Sequence, residues 1–352
     1  MTNIIITGGA GFIGSNLAKK LIGNNKILII DKLTTRSNIL NIRNILKNKN
    51  CFFEKKDICN FLQMKKIFHK FKPNYIFNLA AESHVDKSID NADQFIKTNI
   101  LGVYNLLKIS HDYFKQNYNK KLKFIFHHIS TDEVFGDLPR KSKLKFDENY
   151  NYKPNSPYSA SKASSDHLVR AWNKTFHLPT IISNCSNNFG EYQHPEKLIP
   201  HTILCFIKGK DVPVYGKGRN IRDWIYVQDH CDALIRIMNK GKIGETYNIG
   251  ANCEIRNIDI VKQICKTLEK KLKNTKLKKL IKFVEDRPGH DFRYAVDSSN
   301  INNELRWISK YKFKESLNNT INWYIKNKFW WQQIINKGYK LKRIGKNNEK
   351  KI

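Results

Sequence analysis

The sequence predicts an α/β protein built on a doubly wound parallel sheet, followed by a smaller mixed α/β lobe. Three observations carry this. Short apolar, β-branched runs alternate with amphipathic stretches through the first half, as βαβ units require. A glycine-rich turn, Gly8-Gly9-Ala10-Gly11-Phe12-Ile13-Gly14, joins the first apolar run to the first amphipathic stretch. The second half breaks that rhythm with Pro195, Pro200, Pro213 and several glycines.

Residues 3–7, 26–31, 75–79 and 124–130 read as strands covered on both faces, since they are apolar without alternation. Residues 51–55 form a shorter candidate, and 179–184 add another. Residues 12–22, 61–71 and 92–118 have helical spacing. A further helix opens at Ser156-Pro157-Tyr158, where Ser is an N-cap and Pro a first helical residue, and runs to about Phe176. Beyond Asn187, short strands at 212–215 and 246–249 mix with helices near 229–239 and 258–272. Residues 1–186 thus form a Rossmann-type domain and residues 187–340 mainly a ligand-binding lobe, with some chain crossing back. Residues 341–352 are expected to fray, and the basic run 266–282 reads as a solvated helix face and loop.

Composition removes several classes. Hydrophobic residues at 40% and charged residues at 27% of 352 support a substantial core and exclude wholesale disorder. Lys+Arg of 63 against Asp+Glu of 31 leaves a charge of +32. A nucleic-acid binder concentrates such charge on one face. Here Lys, Asn and Ile spread along the whole chain, so a biased codon composition accounts for it and no nucleic-acid partner is expected. The seven cysteines include no CxxC pair and are odd in number, which suits buried thiols in a reducing compartment. The amino terminus has no basic leader, and no apolar run approaches the ~18 residues of a membrane span. A cytoplasmic protein is expected, with no membrane and no metal.

The glycine turn is the first functional signal. Gly8, Gly11 and Gly14 stand where side chains would block a pyrophosphate at a helix N-terminus. The spacing is GxxGxxG rather than GxGxxG, so a plain tight turn is the competing reading. Asp31 then ends the second strand, where a carboxylate accepts hydrogen bonds from a ribose 2′-hydroxyl and repels a 2′-phosphate, which favours NAD over NADP. Asp57-Ile58 and Leu79-Ala80-Ala81 would line the same edge.

Tyr158 and Lys162 stand four apart on one helix face. A nearby ammonium is expected to bring the phenol down from ~10 toward the range of a working base. Upstream, Ser130-Thr131-Asp132-Glu133 follows a buried strand. Two adjacent carboxyls belong at the carboxyl edge of the sheet, and for both to reach one substrate the backbone must leave β geometry at about Thr131. Such a pair can split its pKa values, one group protonated and one ionised. A helix cap at Thr131 or Asp132 is the plainer reading.

These segments carry a resemblance. GGAGFIG, Asp31-Lys32-Leu33-Thr34, Leu79-Ala80-Ala81-Glu82-Ser83-His84-Val85-Asp86, STDEVFG and YSASK resemble the extended short-chain dehydrogenase/reductase family, most closely its dTDP-glucose 4,6-dehydratase members. The likeness continues through Asn187-Asn188-Phe189-Gly190, Pro195 to Pro200, Pro213 to Gly216, Arg222-Asp223-Trp224 and Asp286 to Asp291. Phe135 and Phe189 depart from it, because the family usually has Tyr there.

The resemblance implies a reaction. Tyr158 would take the glucosyl 4-hydroxyl proton while NAD takes a hydride from carbon 4. Lys162 would hold the nicotinamide ribose, and Thr131 would bond the 4-oxygen. Glu133 would abstract the carbon 5 proton, Asp132 would protonate the departing 6-hydroxyl, and the hydride would return to carbon 6. For NAD the resemblance also assigns Phe12, Ile13, Lys32, Leu33, Thr34, Asp57, Ile58, Leu79, Ala80, Ala81, Glu82, Ser83, Thr98 and Asn188. For the nucleotide sugar it assigns Ser83, Thr131, Asn187, Lys197, Leu198, Pro213, Val214, Tyr215, Arg222, Asn257, Asp286, Arg287, Pro288, Gly289 and His290. Arg222 and Arg287 suit a doubly charged pyrophosphate. His84 and His290 read as hydrogen-bonding structural residues. A homodimer through the helix carrying Tyr158 and its neighbour is also implied. The alternatives are a nucleotide-sugar 4-epimerase, a dehydratase of a UDP- or GDP-sugar, and a non-catalytic scaffold binding NAD and RNA.

Overall fold

Ile4, Ile5 and Ile6 are all fully buried, but on opposite sides: Ile4 and Ile6 join one hydrophobic core and Ile5 joins another. Alternation along the strand therefore runs between two cores rather than between core and water. The computed structural model describes residues 1–117, 123–339 and 341. Its strands are β1 (Thr2–Thr7), β2 (Asn25–Ile30), β3 (Cys51–Glu54), β4 (Tyr75–Asn78), β5 (Ile125–Thr131), β6 (Thr180–Cys185), β7 (Asn187–Phe189), β8 (Val212–Tyr215), β9 (Ile221–Tyr226), β10 (Thr246–Ile249), β11 (Glu254–Arg256) and β12 (Ile281–Val284).

Seven of them make one sheet in the order β10-β6-β5-β4-β1-β2-β3, every pair parallel. The order reverses between β1 and β4, and ligands of open α/β sheets bind outside the strand ends at that point. This is the Rossmann-type sheet expected from the sequence. Smaller sheets join β11, β9 and β7, and pair β12 with β8.

The sheet is flanked by helices α1 (Phe12–Leu21), α2 (Phe61–Phe71), α3 (Val85–Asp90), α4 (Asp93–Phe95), α5 (Gly102–Asn117) and α6 (Pro157–Phe176). The helix expected over 92–118 is divided, because a π-helical turn, Ile96–Leu101, sits between α4 and α5; residue 118 lies outside the described residues. Such turns mark places where a helix is re-aimed, and this one buries Thr98 and Asn99.

Later helices are α7 (Leu198–Ile207), α8 (Val227–Lys240), α9 (Asn257–Leu272), α10 (Ser299–Leu305), α11 (Phe313–Lys326) and α12 (Lys328–Asn336). Pro200 does not break the pattern, as the sequence reading expected, but lies in the first turn of α7. The N–H that proline lacks would have no intrahelical partner there. From the second half, β10 returns to pair with β6, and α8 packs on α1 with an ion pair from Lys20 to Asp232. Of the tail expected to fray, 341–352, Leu341 is buried in the main core, and the remainder lies outside the described residues. Among the described residues no helix is long and apolar enough to cross a membrane.

Candidate active site

The glycine turn after β1 is built so that side chains cannot enter it. Gly8 has φ of +67°, and a Cβ there would stand 2.8 Å from the Ala80 backbone nitrogen. A Cβ on Gly14 would stand 2.6 Å from the Gly8 carbonyl oxygen. Gly11 precedes α1 without any side-chain cap, so the helix N-terminus is left to an anion. Asp31 ties the turn together: its carboxylate accepts the Ala10 N–H at 3.1 Å, the Leu33 N–H at 2.8 Å and the Ser37 hydroxyl at 2.7 Å. A carboxylate has about four acceptor positions, so one remains for a ribose hydroxyl. Burial pushes this carboxyl up, against the pull of those three donors. Nearby, Lys32 bonds the Thr98 hydroxyl at 3.2 Å and stands 3.3 Å from Glu82.

The cleft continues from this turn along the strand ends. Gly8, Gly11, Phe12, Ile13, Gly14, Asp31, Lys32, Thr34, Asp57, Ile58, Leu79, Ala80, Ala81, Glu82, Ser83 and Thr98 line it at one end. Thr131, Asp132, Glu133, Tyr158, Lys162, Asn187, Asn188 and Lys197 line the other. The structure therefore brings together nearly all residues assigned to the cofactor and every residue assigned to catalysis. Leu33 contributes a backbone N–H to Asp31 rather than a wall.

At the catalytic end β5 stops at Thr131, and a 3-10 turn, Asp132–Phe135, follows. The backbone leaves β geometry where the paired acids require it, and Thr131 is also the cap of that turn, accepting the Glu133 N–H at 3.3 Å. Gly136 closes the turn with φ of +83°, and a Cβ there would lie 2.2 Å from the Lys153 carbonyl oxygen. Phe135 stacks on Phe146 at 5.0 Å. Phe189 likewise packs among Trp224, Tyr226 and Phe313.

Asp132 is 1% exposed, and burial, then Glu133, push its carboxyl well above the usual range. Glu133 is also raised by burial, but Arg287, Lys197 and Arg222 pull it back toward ionisation. The two acids are thus differentiated in the direction an acid and a base need.

Tyr158 enters from the first turn of α6, which is held by a reciprocal Ser156–Ser159 capping box. Its phenol is not brought down as expected. Burial and then Glu133 push it well above its ordinary value, against a hydrogen bond with Thr131. The physical reason is where Lys162 points: its ammonium donates to the Ile129 carbonyl at 2.8 Å and faces His128 at 3.1 Å. Burial pushes Lys162 down to about 8, with Asp166 opposing.

The assigned sugar-nucleotide residues divide. Asn187 and Lys197 are in the cleft wall, and Lys197 bonds the Ser83 carbonyl at 2.8 Å. Arg287 reaches Asp86 at 2.5 Å, and the Tyr215 hydroxyl donates to the same carboxylate at 3.0 Å. Arg222 donates to the Asp291 carbonyl at 2.8 Å, and His290 bonds Asp286 at 2.6 Å. Val214 is buried in the main core, Pro213 shares its strand, and Leu198 opens α7. Asn257 opens α9 with a buried Oδ1 that has no partner among the described residues. Asp286, Pro288 and Gly289 are exposed. His84 caps α3 and is pushed down to about 3 by burial.

Two residues given no role by the sequence organise this site. Asp86 joins the Arg287 and Tyr215 segments to α3. Glu196, whose side chain is 1% exposed, lies 3.0 Å from Arg36 and within 4.0 Å of His84, Lys87 and His194. Both stand inside the resembling segments, which was the one signal that pointed to them. Among the described residues no group of three or more His, Cys, Asp or Glu could hold a metal ion.

Residues 5–320 match the family model described as GDP-mannose 4,6 dehydratase. A dTDP-glucose 4,6-dehydratase of Neisseria meningitidis serogroup B is 48% identical over 353 residues, which is 98% of this chain and 99% of that one. The chain belongs to the dTDP-glucose 4,6-dehydratase family. Solved dehydratases of this family share its fold. The Bacillus anthracis enzyme in complex with NAD gives a TM-score of 0.83 at 39% identity, covering 95% of this chain and 100% of that one. The Streptomyces venezuelae enzyme with NAD bound gives 0.86 at 33%, covering 94% and 99%.

Proposed function

We propose that this cleft converts dTDP-glucose to dTDP-4-keto-6-deoxyglucose and water, with NAD retained through the cycle. One observation carries the reading: two differentiated carboxyls, Asp132 and Glu133, stand beside the Tyr158 phenol at the end of β5. A 4-epimerase has no water to remove and no use for such a pair. The named relatives support dTDP-glucose over a UDP- or GDP-sugar.

The glycine cradle suits NAD: Gly8, Gly11, Phe12, Ile13 and Gly14 would hold its pyrophosphate, Asp31 a ribose hydroxyl and Lys162 the nicotinamide ribose. When bound, NAD supplies a reversible two-electron oxidation, withdrawing electrons at carbon 4 and returning them at carbon 6. Tyr158 receives the 4-hydroxyl proton, with Thr131 on that oxygen. The resulting ketone acidifies carbon 5, and Glu133 removes its proton. Asp132, neutral at that stage, protonates the departing 6-hydroxyl. Arg222, Arg287 and Lys197 neutralise the substrate pyrophosphate.

The chain works in the cytoplasm as a homodimer. Ile96, Leu101, Tyr104 and Phe176 support this, since they leave large apolar surfaces exposed on α5, α6 and the π turn. Incubation of the purified protein with dTDP-, UDP- and GDP-linked sugars tests the reading. Loss of one water from dTDP-glucose, without net NADH, is expected. A 4-epimer of unchanged composition would reassign the chain, and dehydration of another nucleotide sugar alone would move only the base specificity. Sedimentation velocity tests the dimer.

A further inference from the structure

The buried row on α6 does not stop at the two residues the reaction uses. Tyr158, Lys162 and Asp166 follow one another at steps of four along one face, and all three are buried. Asp166 is 0% exposed. Its Oδ2 accepts the Ser130 hydroxyl at 2.8 Å and the Tyr152 hydroxyl at 2.9 Å. Its Oδ1 has no hydrogen-bond partner among the described residues and faces His128 Nε2 at 3.4 Å. The same Nε2 lies 3.1 Å from the Lys162 ammonium. One imidazole nitrogen therefore meets both a buried ammonium and a buried carboxylate.

A charge taken out of water is costly unless an opposite charge accompanies it. Lys162 makes no direct ion pair among the described residues: its neighbours at Nζ are the Ile129 carbonyl, at 2.8 Å, and His128. His128 stays neutral, because burial and then Lys162 push it down to about 4. Tyr158 stands one helical turn before the ammonium, and Arg170 stands beyond His128. Cys185 faces it from β6, with a thiol that burial pushes up to about 12 and so keeps neutral. Asp166 is left as the anion. Burial would raise its carboxyl, but His128, Lys162 and Ser130 outweigh burial and hold it below its ordinary value.

We propose that Asp166 is a positioning residue for the oxidation at carbon 4: acting across the His128 ring, its carboxylate is the counter-charge that keeps the buried Lys162 nitrogen an ammonium behind the Tyr158 base. A Tyr158 that takes the 4-hydroxyl proton must do so as a phenolate, and a cation one helical turn away favours that form. Lys162 has three N–H donors; with two turned to Ile129 and His128, one remains for the nicotinamide ribose. Asp166 itself is not among the residues that line the cleft. It acts from behind, and by holding Ser130 it also fixes where the turn carrying Thr131, Asp132 and Glu133 begins.

This inference rests on the dehydratase reading and is tested apart from it with dTDP-6-deoxyglucose, which has no 6-hydroxyl to eliminate and reports carbon 4 oxidation alone through NADH absorbance. Asp166→Asn removes the charge and keeps the shape, Asp166→Ser is a second neutral variant, and each is checked for bound NAD. Without its counter-charge Lys162 gives up its proton at lower pH. Both variants should therefore trail wild type by ~10-fold or more at pH 9, with the gap narrowing as pH falls to 6. A merely structural loss slows oxidation by one factor at every pH. Asp166→Glu, which restores the charge, should bring back the wild-type pH dependence. In a Lys162→Met background there is no ammonium to support, so Asp166→Asn should slow oxidation no further. One check needs no Asp166 variant: the wild-type rate should show a break near the Lys162 value of about 8, and Lys162→Met should lack it. A variant-to-wild-type ratio independent of pH, additive losses in the double variant, or a break that survives Lys162→Met overturns the proposal. Wild-type protein that neither oxidises this analogue nor dehydrates dTDP-glucose overturns the reading beneath it.

Discussion

The turn after β1 and the turn after β5 leave the same edge of one sheet. The first is stripped of side chains between Gly8 and Gly14, and the second is crowded with Thr131, Asp132 and Glu133. At the glycine turn the group proposed to bind the ligand is the backbone itself, and the Cβ clearances of Gly8 and Gly14 set what it tolerates. At the β5 turn the backbone only aims the side chains, and burial sets what they do, by pushing Asp132 and Tyr158 well up and raising Glu133 against the pull of its cationic neighbours. A steric change should therefore disable the first turn, and a change of proton affinity the second.

The sharpest way to break that contrast is Glu133→Gln, which keeps shape and removes the base. Turnover of dTDP-glucose should fall by ~10³-fold, within the range of general-base loss, while bound NAD in the purified protein stays at the wild-type level. Loss of NAD from this variant would mean that the two turns are not separable.

A second effect lies under the β5 turn. Burial pushes His127 and His230 down to about 3 and His128 to about 4, so all three stay neutral in the folded protein well into acid. In the unfolded chain they take up protons near ~6.5. The unfolded state then binds more protons between those values, and stability should fall as pH drops from about 6.5 toward 4, by up to ~1.4 kcal/mol per group per pH unit. Urea midpoints at pH 7, 6 and 5 check this, and a flat midpoint would contradict it.

Gly14→Ala probes the other turn. Its Cβ would meet backbone rather than a movable side chain, so an overpacking loss of ~1–3 kcal/mol is expected, together with loss of NAD. Thermal melting with and without added NAD measures both. Smaller still is Asp86→Asn, which loosens Arg287 and Tyr215 without touching either turn. KM for dTDP-glucose should rise ~10-fold, equal to about 1.4 kcal/mol, with kcat within ~2-fold of wild type. Arg256→Ala, breaking an exposed pair with Asp259, should change stability by less than ~0.5 kcal/mol.

The difference between the turns also decided what was legible. The glycines were readable because backbone requirements leave a residue-type signature at fixed spacing. The acids were readable because two carboxyls after an apolar strand have one tolerable place. Strand 212–215 and helix 61–71 agree with β8 and α2 at both ends. Periodicity could not show the π turn that divides 92–118, which lies just before Gly102, where a Cβ would stand 2.7 Å from Ile58 Cδ1. Nor could spacing show where Lys162 points, because its partners Ile129 and His128 come from strand β5 rather than from its own helix. Asp86 and Glu196 stayed silent for the same reason: each is defined by cations 109 to 201 residues away (Lys87 to Glu196 and Asp86 to Arg287) or by near neighbours brought round by a turn.

The most direct test of the central claim is dehydration in heavy water. Purified protein, dTDP-glucose and D2O should give a keto sugar that has lost one water and carries one deuterium, at carbon 5, with no net NADH. That position reports Glu133 removing a proton and solvent-derived deuterium returning. A product that has lost water but holds no deuterium at carbon 5 would contradict an exchangeable Glu133 base, and an unchanged or epimerised sugar would contradict the dehydratase itself.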